Sequence, residues 1–504
     1  MATSSFDTKS LGIRRDAGLV QDVPAGRIAP RSMEPHTLKG GRAVGVGLVL
    51  ALGYYLLGEF ALSLHFAQTG VSPIWPASGF AFALALWFGP GLAIAILPAM
   101  LALAWDNGIH WQTATLAGLA SVLEAALPAW FLRSLSVSPA LDRVRDVIAF
   151  MVVAVVIGPV ISASVGTFAM AYWSASSPNW VATGLSWWMG NSIGMLVLGT
   201  VGLVLPFWWR QRNGQVGRDW GLLVLLLAAA VVTYSSVLLD VGIHSTLTMY
   251  LLIPIFIAAA IRYHQAGVAL VALTGLIVLA MGSNYRPDDV LSSSELGPYF
   301  LNITLLWMIT FTGLAVAAAY TERDERNRLL WLATHDPMTH LVNRHEFLSR
   351  LDRVVQGGAK RCNAAALIYL DLDRFKQVND SEGHDAGDRL LMEISGLLAA
   401  TVRTRDTVGR LGGDEFAVLL EHCPVHEALQ IAESIRQRVE EYEFVGTLGQ
   451  YSVQASLGVV DLTGSDCSKE ALRLADCACY SAKRAGRNRV HVYYSESVCD
   501  EAGG

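Results

Sequence analysis

The sequence predicts a multi-span α-helical membrane half followed by an α/β half, and three observations carry the prediction. The chain of 504 residues is 53% hydrophobic and only 16% charged, well below the quarter charged of ordinary soluble chains. Its charge is unevenly placed: positions 43–320 contain ten acidic residues, eight arginines and no lysine. From Asp336 to about Tyr494, apolar runs of strand length alternate with helical stretches, the pattern of an α/β domain of about 160 residues. A formal net charge of −6 argues against broad nucleic-acid binding, which needs a basic footprint to displace counterions from phosphates.

Residues 1–42 carry Arg14, Arg15, Arg27, Arg31, Lys39 and Arg42 before any apolar run, too long and polar a lead for a signal peptide, and are expected to form a disordered cytosolic tail. Ten apolar runs follow, near 43–64, 75–88, 91–105, 113–132, 147–171, 183–209, 220–239, 247–261, 266–282 and 298–320, most approaching the ~20 residues a spanning helix needs. The second and third are short and separated only by Gly89, Pro90 and Gly91. Counting them separately puts Arg133, Arg143, Arg145, Arg210, Arg212, Arg218, Arg262, Arg323, Arg326 and Arg328 on the inner side, leaving Arg286 outside beside Asp288 and Asp289. Merging them would send the arginines at 133–145 outward, against the positive-inside rule, so ten spans with both ends cytosolic are expected. All fourteen tryptophans lie between Trp75 and Trp331, several at span ends, as interfacial anchors do. Glu59 and Glu124 are the carboxylates within spans that need a cavity or partner, Glu59 with the option of snorkelling outward and Glu124 that of a protonated structural hydrogen bond.

The stretches SPIWPASGFAFALALWFGPG at 72–91 and WWMGNSIGMLVLGTVGLVLP at 187–206 resemble the first-described class of bacterial membrane-associated sensor (MASE) domains. The resemblance covers about 43–320 and implies a multi-pass inner-membrane sensor in contact with lipid. That family is usually drawn with fewer spans, and often has an acidic residue where this chain has Asn191. After Gly313 no proline or glycine interrupts AVAAAYTERDERNRLLWLAT, so the last span is expected to continue to about Thr334, with 321–335 as a signalling helix too short for a long coiled coil.

All six cysteines fall at or after Cys362. In a cytosolic half they imply no disulfide framework, and Cys477 and Cys479, two apart on a helix, read as small buried residues rather than zinc ligands. In the second half, Asp371 and Asp373 end an apolar strand, and Gly412, Gly413, Asp414 and Glu415 form the turn between two further strands. Glycines there let a ligand approach the backbone, and the adjacent carboxylates suit a hard cation such as Mg²⁺. A bare hairpin turn would look the same, but FKQVND and GHDAGD follow the first pair of acids and add amides and helix N-terminal donors suited to anions.

DLDRFKQVNDSEGHDAGD at 371–388, RLGGDEF at 410–416, AKRAGRNRV at 482–490 and the opening DPMTHLVNR at 336–344 resemble the GGDEF family of diguanylate cyclases, over the whole of 336–494, with 495–504 as a tail. The resemblance implies a nucleotide-cyclase-like fold, mainly antiparallel sheet with flanking helices, and a reaction joining two GTP molecules into cyclic di-GMP and two pyrophosphates. It implies Mg²⁺ or Mn²⁺, two per half-site, held by the Asp371 carboxylate, the Leu372 carbonyl and the Asp414 carboxylate. Asn379 and Asp388 would read guanine, with His384 close by. Gly412 and Gly413 would admit the nucleotide, Lys376, Lys483 and Arg487 would meet phosphates, and Asp414 or Glu415 would help deprotonate the attacking hydroxyl. Since one domain offers one half-site, a homodimer is implied. Arg403 and Asp406 stand where many members bind product as a feedback inhibitor, with a solvated ion pair as the plain alternative. Two other readings compete: a catalytically silent membrane receptor for GTP or cyclic di-GMP, which a damaged RLGGDEF would favour, and a transporter with a regulatory tail, which paired broken helices with midplane acids would favour.

Overall fold

The computed structural model describes residues 40–64, 71–72, 74–173, 180–211, 220–239, 250–283, 296–361, 364–463, 465 and 467–493. Nearly all of the expected N-terminal tail, the C-terminal tail 495–504, Cys362, Cys499, Arg212, Arg218, Arg286, Asp288 and Asp289 lie outside them. Two compact units divide between Glu325 and Arg326.

In the first unit six helices are long and apolar enough to cross a membrane: Gly41–Ser63, Trp111–Ser134, Val144–Trp173, Trp180–Trp209, Leu252–Met281 and Asn302–Thr334. Shorter apolar helices lie at Pro76–Phe88, Pro90–Asp106 and Gly221–Ser235. The short second and third runs are separate helices because Gly89 turns the chain at φ 120° and Pro90 restarts it. The runs at 247–261 and 266–282 share the element Leu252–Ser283, broken where His264 takes φ 53° and ψ −143°. Leu296–Thr334 is one helix of 39 residues, as the lack of breakers predicts.

Polarity in this unit is inside out: Leu48, Leu56, Trp130 and Val181 are exposed while Glu124, Asn191, Ser162 and Ser192 are buried. That is the distribution for a hydrocarbon solvent, where close packing and polar bonds hold helices together. At the tightest crossing a Cβ on Gly79 would lie 2.0 Å from the Gly194 carbonyl oxygen, and one on Gly194 would lie 2.0 Å from the Trp75 carbonyl oxygen. Only glycine lets these two backbones touch, and the Trp75 N–H donates to the Gly190 carbonyl at 3.0 Å in the same contact.

The second unit is built on a sheet of order β1-β3-β4-β2-β7-β8: β1 (Val342–Asn343), β2 (Ala365–Asp373), β3 (Thr407–Gly412), β4 (Glu415–Glu421), β7 (Gln454–Asp461) and β8 (Val490–Val492). The three central pairings are antiparallel and the two outer ones, β1 with β3 and β7 with β8, are parallel, so the sheet is mixed. A separate hairpin pairs β5 (Glu443–Val445) with β6 (Gln450–Ser452).

Strand alternation divides β2 between two cores. Ala366, Ile368, Leu370 and Leu372 pack with Leu390, Ile394, Ala428 and Ile435 of the His384–Thr401 and Val425–Glu440 helices. Ala365, Leu367 and Tyr369 pack on the other face with Phe347, Leu351, Ala475 and Cys479 of the Arg344–Arg361 and Ser468–Arg484 helices. The same alternation places Asp371 and Asp373 on this second face and turns Leu372 into the core, so that Leu372 has only its main chain to offer a ligand. Cys479 is a buried free thiol, as expected, whereas Cys477 is half-buried rather than buried.

Candidate active site at the diglycine turn

The turn joining β3 to β4 follows a bulge between Arg410 and Gly412. Gly412 has φ 155° and Gly413 φ 52°; the latter is a left-handed conformation that costs a side-chain-bearing residue about 1–2 kcal/mol. A Cβ on either glycine would meet nothing within 4 Å, so open space lies over the turn. Arg410 pins it from below: Nε and Nη2 donate to the Gly413 carbonyl at 3.0 and 2.8 Å, and Nη1 reaches Asp336 Oδ1 at 3.3 Å. Asp336 also accepts from the Thr339 N–H and hydroxyl at 2.8 and 2.7 Å. Although burial works the other way, those two donors and the guanidinium hold Asp336 below the usual carboxylate range.

Register brings the acids together. Asp371 lies opposite Glu415 in the β2–β4 ladder, and the Leu372 N–H donates to the Asp414 carbonyl at 3.3 Å. Burial pushes the Asp371 carboxyl up to about 6; Lys483 pulls it down, and the charges of Asp414 and Glu415 push it up again. Lys483 Nζ lies 2.7 Å from Asp371 Oδ2, one positive charge among three carboxyls. The oxygen-only donor set, with acids crowded enough to hold a proton or draw a cation, fits a hard divalent ion. Among the described residues no three His, Cys, Asp or Glu converge as a metal group. A cation here would therefore rest on Asp371, Asp414, the Leu372 carbonyl and oxygens of the nucleotide itself.

The helix Phe375–Glu382 leaves β2 through Arg374, at φ 59°, and presents Lys376 exposed and Asn379 half-buried. Gly383, at φ 85°, ends it and begins His384–Thr401, where His384 and Asp388 are exposed. Gly387 sets the Asn379 side chain, since a Cβ at 387 would fall 1.8 Å from Asn379 Oδ1. Asp371, Leu372, Lys483, Asp414 and Glu415 are thus brought together, with Lys376 and Asn379 on the helix that β2 feeds. Lys483, expected on phosphates, here contacts Asp371. Arg403 is exposed, and its backbone N–H, not its guanidinium, donates to Asp406 Oδ2 at 3.1 Å, closing a turn.

Sequence reasoning passed over a layer of support. Asp373 is 6% exposed and accepts the Ser456 hydroxyl at 3.0 Å on both oxygens and the Asn488 N–H at 3.1 Å, with Arg487 Nε at 3.8 Å. It thereby holds the turn bearing Arg487, whose φ is 64°. Glu382 accepts the Thr447 and Leu448 N–H groups, each at 2.8 Å, and the Thr447 hydroxyl at 2.5 Å, tying the β5–β6 turn to the helix that carries Asn379. These roles had only the second Asp of DLD and a carboxylate at a helix end as their signal.

A unit with six helices long and apolar enough to cross a membrane and a mixed-sheet unit with acids beside a diglycine turn define an integral membrane protein that carries an α/β domain. The MASE1 family model matches residues 46–324, more than half of the chain, and the chain belongs to that family of membrane-associated sensors. The model "Diguanylate cyclase, GGDEF domain" matches residues 333–489, so the chain also carries a GGDEF domain. It is similar to the probable diguanylate cyclase DgcE of Escherichia coli, 37% identical over 218 residues, 42% of this chain and 20% of that one. It is also similar to the probable diguanylate cyclase DgcC of Escherichia coli, 32% identical over 193 residues, 38% of this chain and 52% of that one. The chain thus spans between a fifth and about half of the length of these curated relatives. Among solved structures, the coiled coil and GGDEF domain of DgcB from Caulobacter crescentus, in complex with c-di-GMP, is 26% identical with a TM-score of 0.33, covering 34% of this chain and 91% of that one.

Proposed function

We propose that this integral membrane protein is a diguanylate cyclase that condenses two GTP into cyclic di-GMP and two pyrophosphates under control of its MASE1 half. The observation that carries the reading is the register that sets Asp371 opposite Glu415 beside an open diglycine turn, with Asp414 and Glu415 acting on Asp371 by charge and Lys483 Nζ 2.7 Å from its Oδ2. Each 3′-hydroxyl attacks the α-phosphate of the other GTP, its proton passes to a carboxylate at Asp414 or Glu415, and pyrophosphate leaves. Most of what phosphoryl transfer asks of a protein is position and charge. Asn379 and Asp388 take the guanine edge, an amide and a carboxylate matching its donors and acceptors, with His384 beside it. Lys376 and Arg487 meet phosphates, and Lys483 turns from Asp371 towards them as the nucleotide enters. Asp371, the Leu372 carbonyl and Asp414 would hold Mg²⁺ or Mn²⁺, two per half-site, which would supply charge neutralisation. Two copies of the domain face each other with one GTP apiece, so a homodimer is the active form.

Product binding at Arg403 and Asp406 lowers activity as cyclic di-GMP accumulates. The chain lies in the bacterial inner membrane, crossing ten times, with its N-terminus and GGDEF domain (336–494) in the cytosol and 321–335 as the signalling helix. The ten-crossing count is supported by the inner placement of the arginines. Incubating the full-length protein with GTP and Mg²⁺ and identifying the product by mass tests the reading. Cyclic di-GMP with pyrophosphate is expected. Bound but unconverted GTP would overturn it in favour of a receptor.

A further inference from the structure

The membrane unit contains a carboxyl whose charge nothing balances. Glu124, midway along Trp111–Ser134, is 1% exposed, and among the described residues no basic side chain pairs with it. The side chains facing it among the described residues are neutral and come from four neighbouring helices. Asn191 Nδ2 donates to Glu124 Oε2 at 2.9 Å and to Ser162 Oγ at 2.8 Å. Ser78 of Pro76–Phe88 and Ser162 of Gly158–Trp173 face the carboxyl. Tyr54 of Gly41–Ser63, the one titratable group facing it among the described residues, accepts the Trp75 indole N–H at 3.1 Å and faces Ser121 as well. Two buried oxygens are left over: Glu124 Oε1 and Ser78 Oγ have no hydrogen-bond partner.

An ionised carboxylate in a dry interior without a counter-charge is costly, and such groups neutralise instead. A proton on Oε1 removes the charge and converts that oxygen into a donor, while Ser78 Oγ is an acceptor in waiting. One added proton would let the two leftover oxygens bond each other, Oε1 as donor and Ser78 Oγ as acceptor. The helices here are also irregular. Pro128, four residues on, lacks the N–H that would bond the Glu124 carbonyl. That carbonyl oxygen would lie 3.5 Å from a Cβ on Gly158, where the π-helical segment Met151–Ile157 ends, and a second π-helical segment, Met195–Gly199, follows Asn191.

We propose that Glu124, with Ser78, Ser162 and Asn191, forms a proton-binding site in the membrane unit, loaded when Glu124 Oε1 takes a proton from water and donates it in a hydrogen bond to Ser78 Oγ. Loading ties Trp111–Ser134 to Pro76–Phe88, and unloading returns the proton to water and leaves a carboxylate bonded by Asn191. This stands independently of what the GGDEF domain makes.

The test is infrared difference spectroscopy of the full-length chain in phospholipid vesicles as pH is stepped from alkaline to acid. The carbonyl stretch of a protonated carboxyl should grow on acidification, be missing in Glu124→Gln, which keeps shape and neutrality, and move to higher frequency in Ser78→Ala, which removes the acceptor without touching charge. No difference between the native chain and Glu124→Gln at any pH would overturn the site, as would a band that ignores pH. A band abolished by sodium at constant pH would make it a sodium site and overturn the proton assignment. An unshifted band in Ser78→Ala would overturn the acceptor.

Discussion

At the scale of single residues, Asp371 shows what the fold does to a side chain. The sequence places an acid at the end of an apolar strand; the fold adds burial, two further carboxyls and a lysine, and lifts its carboxyl to about 6. A raised carboxyl means that the ligand-free unit gains stability from Asp371 below the ordinary carboxylate range and loses it as pH rises through about 6. Metal binding runs the other way, because it needs the ionised form. The Mn²⁺ concentration giving half-maximal occupancy should be flat well above pH 6 and rise about tenfold per pH unit below it, with one proton displaced. A flat profile would remove Asp371 from the metal site. Asp373 makes a different prediction. Asp373→Ala leaves the Asn488 N–H and the Ser456 hydroxyl without their acceptor, at a cost of about 1–3 kcal/mol in the urea unfolding of the second unit. No change in midpoint would show that solvent replaces the bond.

At the scale of elements, much was legible. The run AAALIYLDLD is strand β2, and the unbroken stretch after Gly313 is a helix to Thr334. Local pattern suffices there because burial on both faces, or the lack of a breaker, decides the outcome. Other features depend on contacts between distant residues and left no local trace. Lys483, four residues from Arg487 on a basic run, reads as a phosphate ligand, yet the sheet places Asp371 nearer. The tie from Glu382 to the β5–β6 turn joins residues 65 apart in sequence. Glu382→Ala should therefore speed hydrogen exchange at the Thr447 and Leu448 amides by about fivefold or more, a bond of about 1 kcal/mol being lost, with the β2 amides unchanged. Gly387→Ala drives a methyl into Asn379 Oδ1 and should weaken binding of a GTP analogue by calorimetry about tenfold, as one misplaced base contact would.

At the scale of the whole molecule, composition alone separated an apolar half from a polar one, and the large apolar side chains exposed on the first unit, with polar ones such as Glu124 and Asn191 buried inside it, agree with a protein solvated by lipid. The sequence could not say how the helices pack, since the Gly79 to Gly194 contact and the Glu124 to Asn191 bond join segments far apart in the chain. Feedback belongs to this scale too. Arg403→Ala should leave initial rates unchanged and relieve inhibition at high cyclic di-GMP; unchanged inhibition would reduce Arg403 to a turn residue.

In the proposed reaction Asp371 and Asp414 jointly hold a nucleotide-bound divalent cation at the diglycine turn. Electron paramagnetic resonance of Mn²⁺ with a non-hydrolysable GTP analogue and the full-length protein reads it directly. Bound Mn²⁺ that falls at least about tenfold in affinity in both Asp371→Ala and Asp414→Ala is the predicted result. Native affinity in either variant would contradict it.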